Sequence, residues 1–152
     1  MLVHDTLSRR TKKFVPMQKS EVRMYTCGPS VYSTPHIGNF RTYIVEDVFK
    51  RALMSNGYRV NHTMNITDIE DKMVRAAKGS MERMRKIVDE NEKLFMENSR
   101  KLNLIPADHY PRATQNIRQM VTLIKKLMVK GLAYKDDGEI FSSTYRASRA
   151  TG

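Results

Sequence analysis

The 152-residue sequence predicts an α/β protein in which helices pack on a parallel sheet. Strand-forming runs at 22–27 and 58–64 flank a helical pattern at 37–55. This order is a βαβ unit, whose crossover brings two strands into parallel pairing with a right-handed connection. Further helical patterns at 80–103 and 113–130 supply elements that can cover such a sheet.

The first strand and the first helix have clear local signals. Residues 22–27 are rich in strand formers, and Gly28-Pro29 ends the run. Gly57 is a suitable residue for the end of the helix. The helical spacing is carried by Phe40, Tyr43, Ile44, Val48, Phe49, Ala52 and Leu53.

A turn at 65–68 follows the second strand, and a short helix is expected after it. Asp68, Glu70 and Asp71 lead into that helix, where acidic side chains suit the positive end of the helix dipole. The helix at 80–103 has one apolar face, formed by Met84, Ile87, Val88, Leu94, Phe95 and Leu102.

The last predicted elements are a helix and a hairpin. The helix at 113–130 is expected to end at Gly131, and Asp137-Gly138 predicts a tight hairpin turn within 134–141. Its apolar face comprises Ile117, Met120, Val121, Ile124, Leu127 and Met128. One βαβ unit and one hairpin provide too few strands for a complete doubly wound sheet. We therefore expect exposed strand edges, and either self-association or a requirement for a missing C-terminal half.

The charge balance favours an anionic partner. Lys and Arg number 27 against 16 Asp and Glu, which gives a net charge of +11 and a pI of about 9.9. Such a surface suits nucleic acid or another polyanion, and it equally suits a solvated basic face that keeps the chain soluble. Residues 1–20 are basic and polar and are expected to form a surface arm.

The sequence contains neither a predicted membrane-spanning segment nor the paired cysteines that are typical of an oxidising compartment. No apolar run approaches membrane-spanning length, and the N-terminus lacks the apolar region of a secretory signal. A single cysteine excludes an internal disulfide and a multi-cysteine zinc site. We expect cytoplasmic localisation and no membrane partner.

Residues 27–39 contain the densest cluster of candidate functional groups, and they lie between the first strand and the first helix. Ligands of open α/β sheets bind at the carboxyl ends of the strands, and helix N-termini favour phosphate. Gly38 would let a nucleotide approach the backbone, and His36 would donate to a phosphate oxygen. The alternatives are a capping or surface role for His36 and an ordinary turn at Gly28-Pro29. The placement of all these residues in one loop favours a site.

These motifs resemble the start of cysteinyl-tRNA synthetases, which are class I aminoacyl-tRNA synthetases. Cys-Gly-Pro-Ser-Val-Tyr at 27–32 precedes His-Ile-Gly-Asn at 36–39, which is similar to the H-I-G-H signature. Ser30 stands where Thr is more usual, and Asn39 is frequent in the cysteinyl branch. Further matching blocks lie in order at 65–72, 102–103, 111–114, 130–134 and 138–140.

The resemblance implies the first half of a Rossmann-like (HUP-type) parallel sheet. It divides the chain into a basic arm at 1–20, the N-terminal half of the catalytic domain at 21–130 and the start of a connective insertion at 131–152. The signature K-M-S-K-S is missing, and residues 72–75 are only a lookalike of it. We therefore expect a truncated form that is inactive alone.

The implied function is cysteine–tRNA ligase activity, with cysteine, ATP as a substrate and tRNA-Cys as partners. By resemblance, His36 and Asn39 are catalytic, and they bind ATP together with Gly38. Gly28 and Thr67 would line the pocket for the substrate cysteine.

The resemblance also assigns a metal ligand. Cys27 corresponds to one of four zinc ligands that hold the metal against the substrate thiolate. The other three ligands lie downstream in the family, so an incomplete site is expected here, with zinc not stably bound by this chain. Taken alone, Cys27 favours a buried thiol at the end of the strand.

Three other functions are compatible with parts of the sequence. One is a synthetase-like module that binds tRNA or a partner without catalysis, which the basic charge favours. Another is a cysteine ligase of the mycothiol type, which the cysteine and ATP motifs do not distinguish from a synthetase. A third is a small nucleotidyltransferase, against which Cys27 and the block at 65–72 argue.

Overall fold

The structure is a computed structural model that describes residues 1–71, 77 and 80–142. The chain forms two compact units, Met1–Ala113 and Thr114–Gly152. The first unit contains β1 (Leu2–Asp5), β2 (Arg10–Lys13), β3 (Glu21–Thr26), α1 (Ile37–Ser55), β4 (Arg59–Met64) and α2 (Met81–Lys101). The second contains a 3-10 turn (Thr114–Asn116), α3 (Ile117–Val129), β5 (Ala133–Asp136) and β6 (Glu139–Ser142).

The predicted βαβ unit is confirmed. β3 pairs with β4 in parallel, from Glu21 opposite Arg59 to Thr26 opposite Met64, and α1 connects the two strands. The outer edge of β4 is not open as expected, because a later backbone segment pairs with it. The N–H of Met64 donates to the carbonyl of His109 at 3.0 Å, and the bridge between Ile66 and Arg112 continues this parallel pairing.

The predicted surface arm contains an antiparallel hairpin of β1 and β2. Asp5 stabilises the turn between β1 and β2. Its carboxylate accepts hydrogen bonds from the N–H of Leu7 at 3.1 Å, the hydroxyl of Ser8 at 2.5 Å and Lys12 Nζ at 2.8 Å. These polar contacts lower the pKa of Asp5, with Lys12 and then Ser8 as the main causes. Neither strand has a buried residue, so hydrophobic periodicity gave no signal for this hairpin.

Helix α1 has the predicted bounds, but its buried face is more polar than expected. The spacing predicts Val48 in the core, yet it is 60% exposed, whereas Asp47 and Lys50 are buried. Asp47 Oδ1 accepts the N–H of Ile105 at 2.8 Å, and Lys50 Nζ donates to the carbonyl of Pro106 at 2.8 Å. The two charged residues face inward because the segment after α2 supplies their hydrogen-bond partners.

Helix α2 packs against α1 through aromatic rings. Its predicted core residues Met84, Val88 and Phe95 are buried. The Phe95 ring lies 5.2 Å from that of Tyr43 and 6.0 Å from that of Phe40, between centroids. The short helix predicted after Asp68 falls largely on 72–76, which lie outside the described residues.

The second unit confirms the predicted hairpin. Asp137 and Gly138 have φ values of 42° and 83°, and a tight turn between β5 and β6 requires such positive values. The residues predicted to form the apolar face of α3 do not form a buried core, because none of the residues of α3 is buried. Within the described residues, no helix is both long and apolar enough to cross a membrane.

Candidate functional site

A polar pocket of about 280 Å³ lies at the carboxyl end of β3, beside the start of α1. It brings together three of the predicted site residues, Gly28, His36 and Asn39. Gly38, Thr67 and Cys27 are not among its lining residues. The pocket is lined by Gly28, Ser30, Tyr32, Ser33, Pro35, His36, Asn39, Tyr43 and Glu70.

His36 is both the N-cap of α1 and a wall of this pocket. Its Nδ1 accepts the N–H of Gly38 at 3.1 Å, and Asn39 Oδ1 accepts the N–H of His36 at 3.0 Å. These reciprocal bonds form a capping box. Since Nδ1 is the acceptor, the neutral imidazole carries its hydrogen on Nε2. The cap therefore fixes His36 as an Nε2–H donor, and it leaves the Asn39 amide group as a second donor.

Gly38 makes room for the His36 ring. A Cβ at this position would lie 2.9 Å from Cε1 and 3.0 Å from Nδ1 of His36. The sequence predicts that this glycine allows the close approach of a nucleotide. The structure shows a different need, because a side chain at Gly38 would displace the capping imidazole.

Gly28 is required by the close approach of another chain segment. A Cβ there would lie only 1.8 Å from the carbonyl oxygen of Asn65. Asn65 Oδ1 accepts the N–H of Gly28 at 3.2 Å and the hydroxyl of Tyr25 at 3.0 Å. Its Nδ2 donates to Thr67 Oγ1 at 3.2 Å. Asn65 thus connects Gly28 with Thr67, the two residues predicted to contact cysteine.

Thr67 lies against the same loop through its backbone. Its N–H donates to the carbonyl of Pro29 at 3.0 Å, and its carbonyl accepts the N–H of Val31 at 3.2 Å. The segment after β4 therefore pairs with the segment after β3. In the sequence, Asn65 stands out only as part of the block at 65–72; its position directly after a parallel strand is the signal for a role at this edge of the sheet.

Asn91 of α2 is a further residue that sequence reasoning missed. Its Nδ2 donates to the carbonyl of Val31 at 3.2 Å, and its Oδ1 accepts the hydroxyl of Thr34 at 3.4 Å. These bonds hold the loop between β3 and α1 against α2. A polar residue in the middle of a helix carries little sequence signal for such a role.

Tyr43 is a neutral hydroxyl beside the pocket. Burial raises its pKa to about 12, and the charges of Glu46 and Cys27 add to that effect. Tyr43 is 7% exposed, so it serves as a fixed wall between α1 and the pocket.

The prediction of a buried Cys27 thiol is wrong, because Cys27 is an exposed free cysteine. It directly follows Thr26, the last residue of β3. Across residues 1–71, 77 and 80–142, no three His, Cys, Asp or Glu side chains are grouped so that they could hold a metal ion. These residues alone do not fit a four-coordinate zinc site, and Cys27 offers a single soft donor.

A family model and several proteins of known name match most of the chain in sequence. A family model described as "tRNA synthetases class I (C) catalytic domain" matches residues 13–150. The cysteine–tRNA ligase of Thermococcus gammatolerans is 42% identical over 140 residues, which are 91% of this chain and 29% of that protein. The enzyme of the same name from Methanosarcina acetivorans is 43% identical over 146 residues, or 96% of this chain and 30% of that protein. The chain thus spans about 30% of the length of these relatives.

A solved structure has the same fold. The Mycobacterium tuberculosis methionyl-tRNA synthetase, in complex with methionyl-adenylate, superposes with a TM-score of 0.67. The likeness covers 82% of this chain and 26% of that one, at 19% sequence identity. It confirms the predicted α/β fold of the class I synthetase type.

Proposed function

The chain belongs to the family of class I (C) tRNA synthetase catalytic domains, and we propose that it forms the N-terminal part of the catalytic domain of a cysteine–tRNA ligase. Relatives more than 40% identical carry this name, and the chain corresponds to about 30% of their length. The single observation that best supports the proposal is the His36–Asn39 capping box on the wall of the polar pocket.

The proposed reaction begins with the activation of cysteine. A carboxylate oxygen of cysteine attacks the α-phosphorus of ATP, the bond to pyrophosphate breaks, and cysteinyl-adenylate forms. The cysteinyl group then moves to the 3′-terminal adenosine of tRNA-Cys, with release of AMP. Chemistry of this kind depends mainly on the positioning of reactants and on stabilisation of phosphate charge.

His36 and Asn39 would supply that stabilisation. The Nε2–H of His36 and the side-chain amide of Asn39 are donors whose orientation the helix cap fixes before ATP arrives. The N-terminus of α1 adds its positive dipole end. Donors that are already oriented need no rearrangement as charge develops in the transition state. Gly38 contributes by leaving room for the imidazole.

The pocket for the substrate cysteine would include Gly28 and Thr67. Asn65 holds both at fixed positions through its side-chain amide. Cys27, exposed at the end of β3, would provide one thiolate ligand to zinc in the complete enzyme. Zinc would supply a bond to the substrate thiolate that a serine hydroxyl does not match.

The proposed organisation assigns a basic arm to 1–20, half of the catalytic domain to 21–130 and the beginning of a connective insertion to 131–152. The net charge of +11 supports tRNA as a partner, because phosphate contacts favour a basic surface. We place the protein in the cytoplasm on the basis of this function, and we propose that the chain needs the remaining part of the catalytic domain for activity.

A chimera tests the proposed function. The chain would replace the matching segment of the Thermococcus gammatolerans cysteine–tRNA ligase, and ATP–pyrophosphate exchange would be measured with cysteine, serine or methionine. We expect exchange with cysteine alone, and loss of exchange when the chimera carries His36→Ala. A folded chimera that shows no cysteine-dependent exchange, or that prefers another amino acid, would contradict the proposal.

A further inference from the structure

The hairpin of β1 and β2 is an ordered element that supplies no buried residue. Within the described residues it forms a two-stranded sheet of its own, and neither strand has a buried side chain. The arm is attached at its base, where the rings of Phe14 and Tyr58 pack edge to face at 5.7 Å between centroids. The N–H of Arg59 also donates to the carbonyl of Ser20 at 3.0 Å. The hairpin is therefore held at one end while its faces remain accessible to a partner.

Positive charge is concentrated on this arm. Residues 1–20 contain five Lys and Arg against one Asp, which gives a net charge of +4. Residues 21–113 contain 15 Lys and Arg against 12 Asp and Glu, which gives a net charge of +3. The arm thus contributes more to the net charge of +11 than the much longer segment that follows it. Its cations are all exposed: Arg9, Arg10, Lys12, Lys13 and Lys19.

Most of these cations have no ion-pair partner in the fold. Lys12 pairs with the carboxylate of Asp5 at 2.8 Å, which engages the single acidic residue of the arm. Across the part of the chain that the structure describes, the other four cations form no ion pair. Charged side chains protect an open strand from pairing with another chain, but Arg9 and Lys19 lie outside β2. The surplus of positive charge therefore points to a partner that supplies negative charge.

We propose that this hairpin binds the phosphate backbone of a folded RNA. The inference rests on the proposed function, which makes tRNA the partner, and it assigns the contact to one surface of the chain. Closely spaced phosphates supply the negative charge that the arm lacks, and Lys and Arg are the side chains that neutralise them. A contact of this kind positions the RNA without reading its base sequence.

The distribution of the cations around the hairpin favours RNA over a flat anionic surface. Side chains alternate along a strand, so Arg10 and Lys13 of β2 lie on opposite faces of the hairpin. Arg9 lies in the turn between the strands, where its φ is 53°. A lipid surface meets the cations of one face alone, whereas the two backbones of an RNA stem border a groove on both sides. The hairpin therefore suits a groove between two phosphate backbones.

Filter binding on the whole chain tests the proposal. The probe is a transcript of Thermococcus gammatolerans tRNA-Cys, and binding is measured across a salt series. Phosphate contacts release counterions, so the logarithm of the association constant should fall linearly with the logarithm of the salt concentration. We expect the double variant Arg10→Gln, Lys13→Gln to bind several-fold more weakly and to make this slope shallower by about 2.

A second double variant separates a local contact from net charge. Arg85→Gln, Lys93→Gln removes the same charge at exposed positions of α2, and we expect it to leave the slope nearly unchanged. The proposal is overturned if this control weakens binding as much as the hairpin variant, or if the unmodified chain binds the transcript without salt dependence or not at all. Equal losses with polyglutamate or with phosphatidylglycerol vesicles would indicate an acidic protein or a lipid surface, and would also overturn it.

The chimera with the Thermococcus gammatolerans enzyme distinguishes this proposal from the proposed function. Cysteinyl-adenylate forms before tRNA takes part in the proposed reaction, so the hairpin double variant should keep ATP–pyrophosphate exchange. In transfer to tRNA-Cys we expect a KM for tRNA raised several-fold, with kcat little changed. An unchanged KM would overturn the hairpin proposal. A chimera without exchange would contradict the proposed function, while the filter-binding slopes of the chain alone would still decide the role of the hairpin.

Discussion

His36 Nδ1 accepts the backbone N–H of Gly38 at 3.1 Å, so one side chain both caps α1 and forms part of the wall of the polar pocket. The two roles are linked because the cap determines which ring nitrogen carries the hydrogen. The helix cap in this loop therefore also orients the Nε2–H group that we propose to bind phosphate.

Removal of the cap should destabilise the protein. We expect His36→Ala to lower the free energy of unfolding by about 0.5–2 kcal/mol, because the N–H of Gly38 loses its acceptor. Urea denaturation followed by circular dichroism measures the change. Ser33→Ala, at an exposed position of the same loop outside the cap, is the control and should cost less. A His36→Ala protein as stable as the unmodified chain would show that the cap contributes nothing.

Gly28 should tolerate no side chain. A Cβ there would meet the Asn65 carbonyl at 1.8 Å, so we expect Gly28→Ala to cost about 1–3 kcal/mol or more in unfolding free energy. Gly57→Ala is a matched control, since that glycine has φ +84° and no atom within 4 Å of the added Cβ. Its cost should be only the backbone strain of about 1–2 kcal/mol. Equal stability of the Gly28→Ala variant and the unmodified chain would contradict the close approach.

Tyr25 and Asn65 should be energetically coupled. The Tyr25 hydroxyl donates to Asn65 Oδ1 at 3.0 Å, and the same oxygen accepts the N–H of Gly28. Tyr25→Phe, Asn65→Ala and the double variant form a thermodynamic cycle. We expect a coupling energy of about 0.5–1.5 kcal/mol, which urea denaturation can measure. Additive effects would mean that the hydrogen bond does not stabilise the fold.

Glu46 should make stability depend on pH. Burial raises the pKa of Glu46 in the folded state above its value in the unfolded chain. Its contribution to the free energy of unfolding is therefore fully present below the unfolded-state pKa, and it is lost as the pH rises through the folded-state pKa. Glu46→Gln removes this titration and keeps a side chain of the same length with a carbonyl oxygen. We therefore expect the variant to gain stability relative to the unmodified chain at about pH 7 but not at about pH 4. Urea denaturation at both pH values checks the sign, with exposed Glu90→Gln as the control, and a larger gain at the lower pH would contradict the account.

The sequence predicted those features that depend on local patterns. The bounds of α1, the parallel pairing of β3 with β4 and the turn at Asp137-Gly138 all follow from periodicity and turn chemistry. The inward orientation of Asp47 and Lys50 could not be predicted from local patterns, because their hydrogen-bond partners lie in a segment more than 50 residues away. Helical spacing alone places apolar residues such as Val48 in that face.

The candidate site was predicted only in part, because some of its contacts join residues that are distant in sequence. The motif at 27–39 located the pocket, and Gly28, His36 and Asn39 line it. Asn65 and Asn91 act through contacts with backbone atoms distant in sequence, which no local pattern reveals. Cys27 was expected to be buried because it ends a strand, but it lies just past the last paired residue and is exposed.

The most direct test of the account separates the cap from the anion donor. His36→Asn keeps a side-chain acceptor for the N–H of Gly38 but lacks the Nε2–H group. Isothermal titration with ATP would be performed on the unmodified chain and on this variant, with unfolding free energies measured in parallel. We predict similar stability and at least tenfold weaker ATP binding by His36→Asn. Equal ATP affinity of the two proteins, or no ATP binding by the unmodified chain, would contradict the claim that His36 is the anion-binding donor of this site.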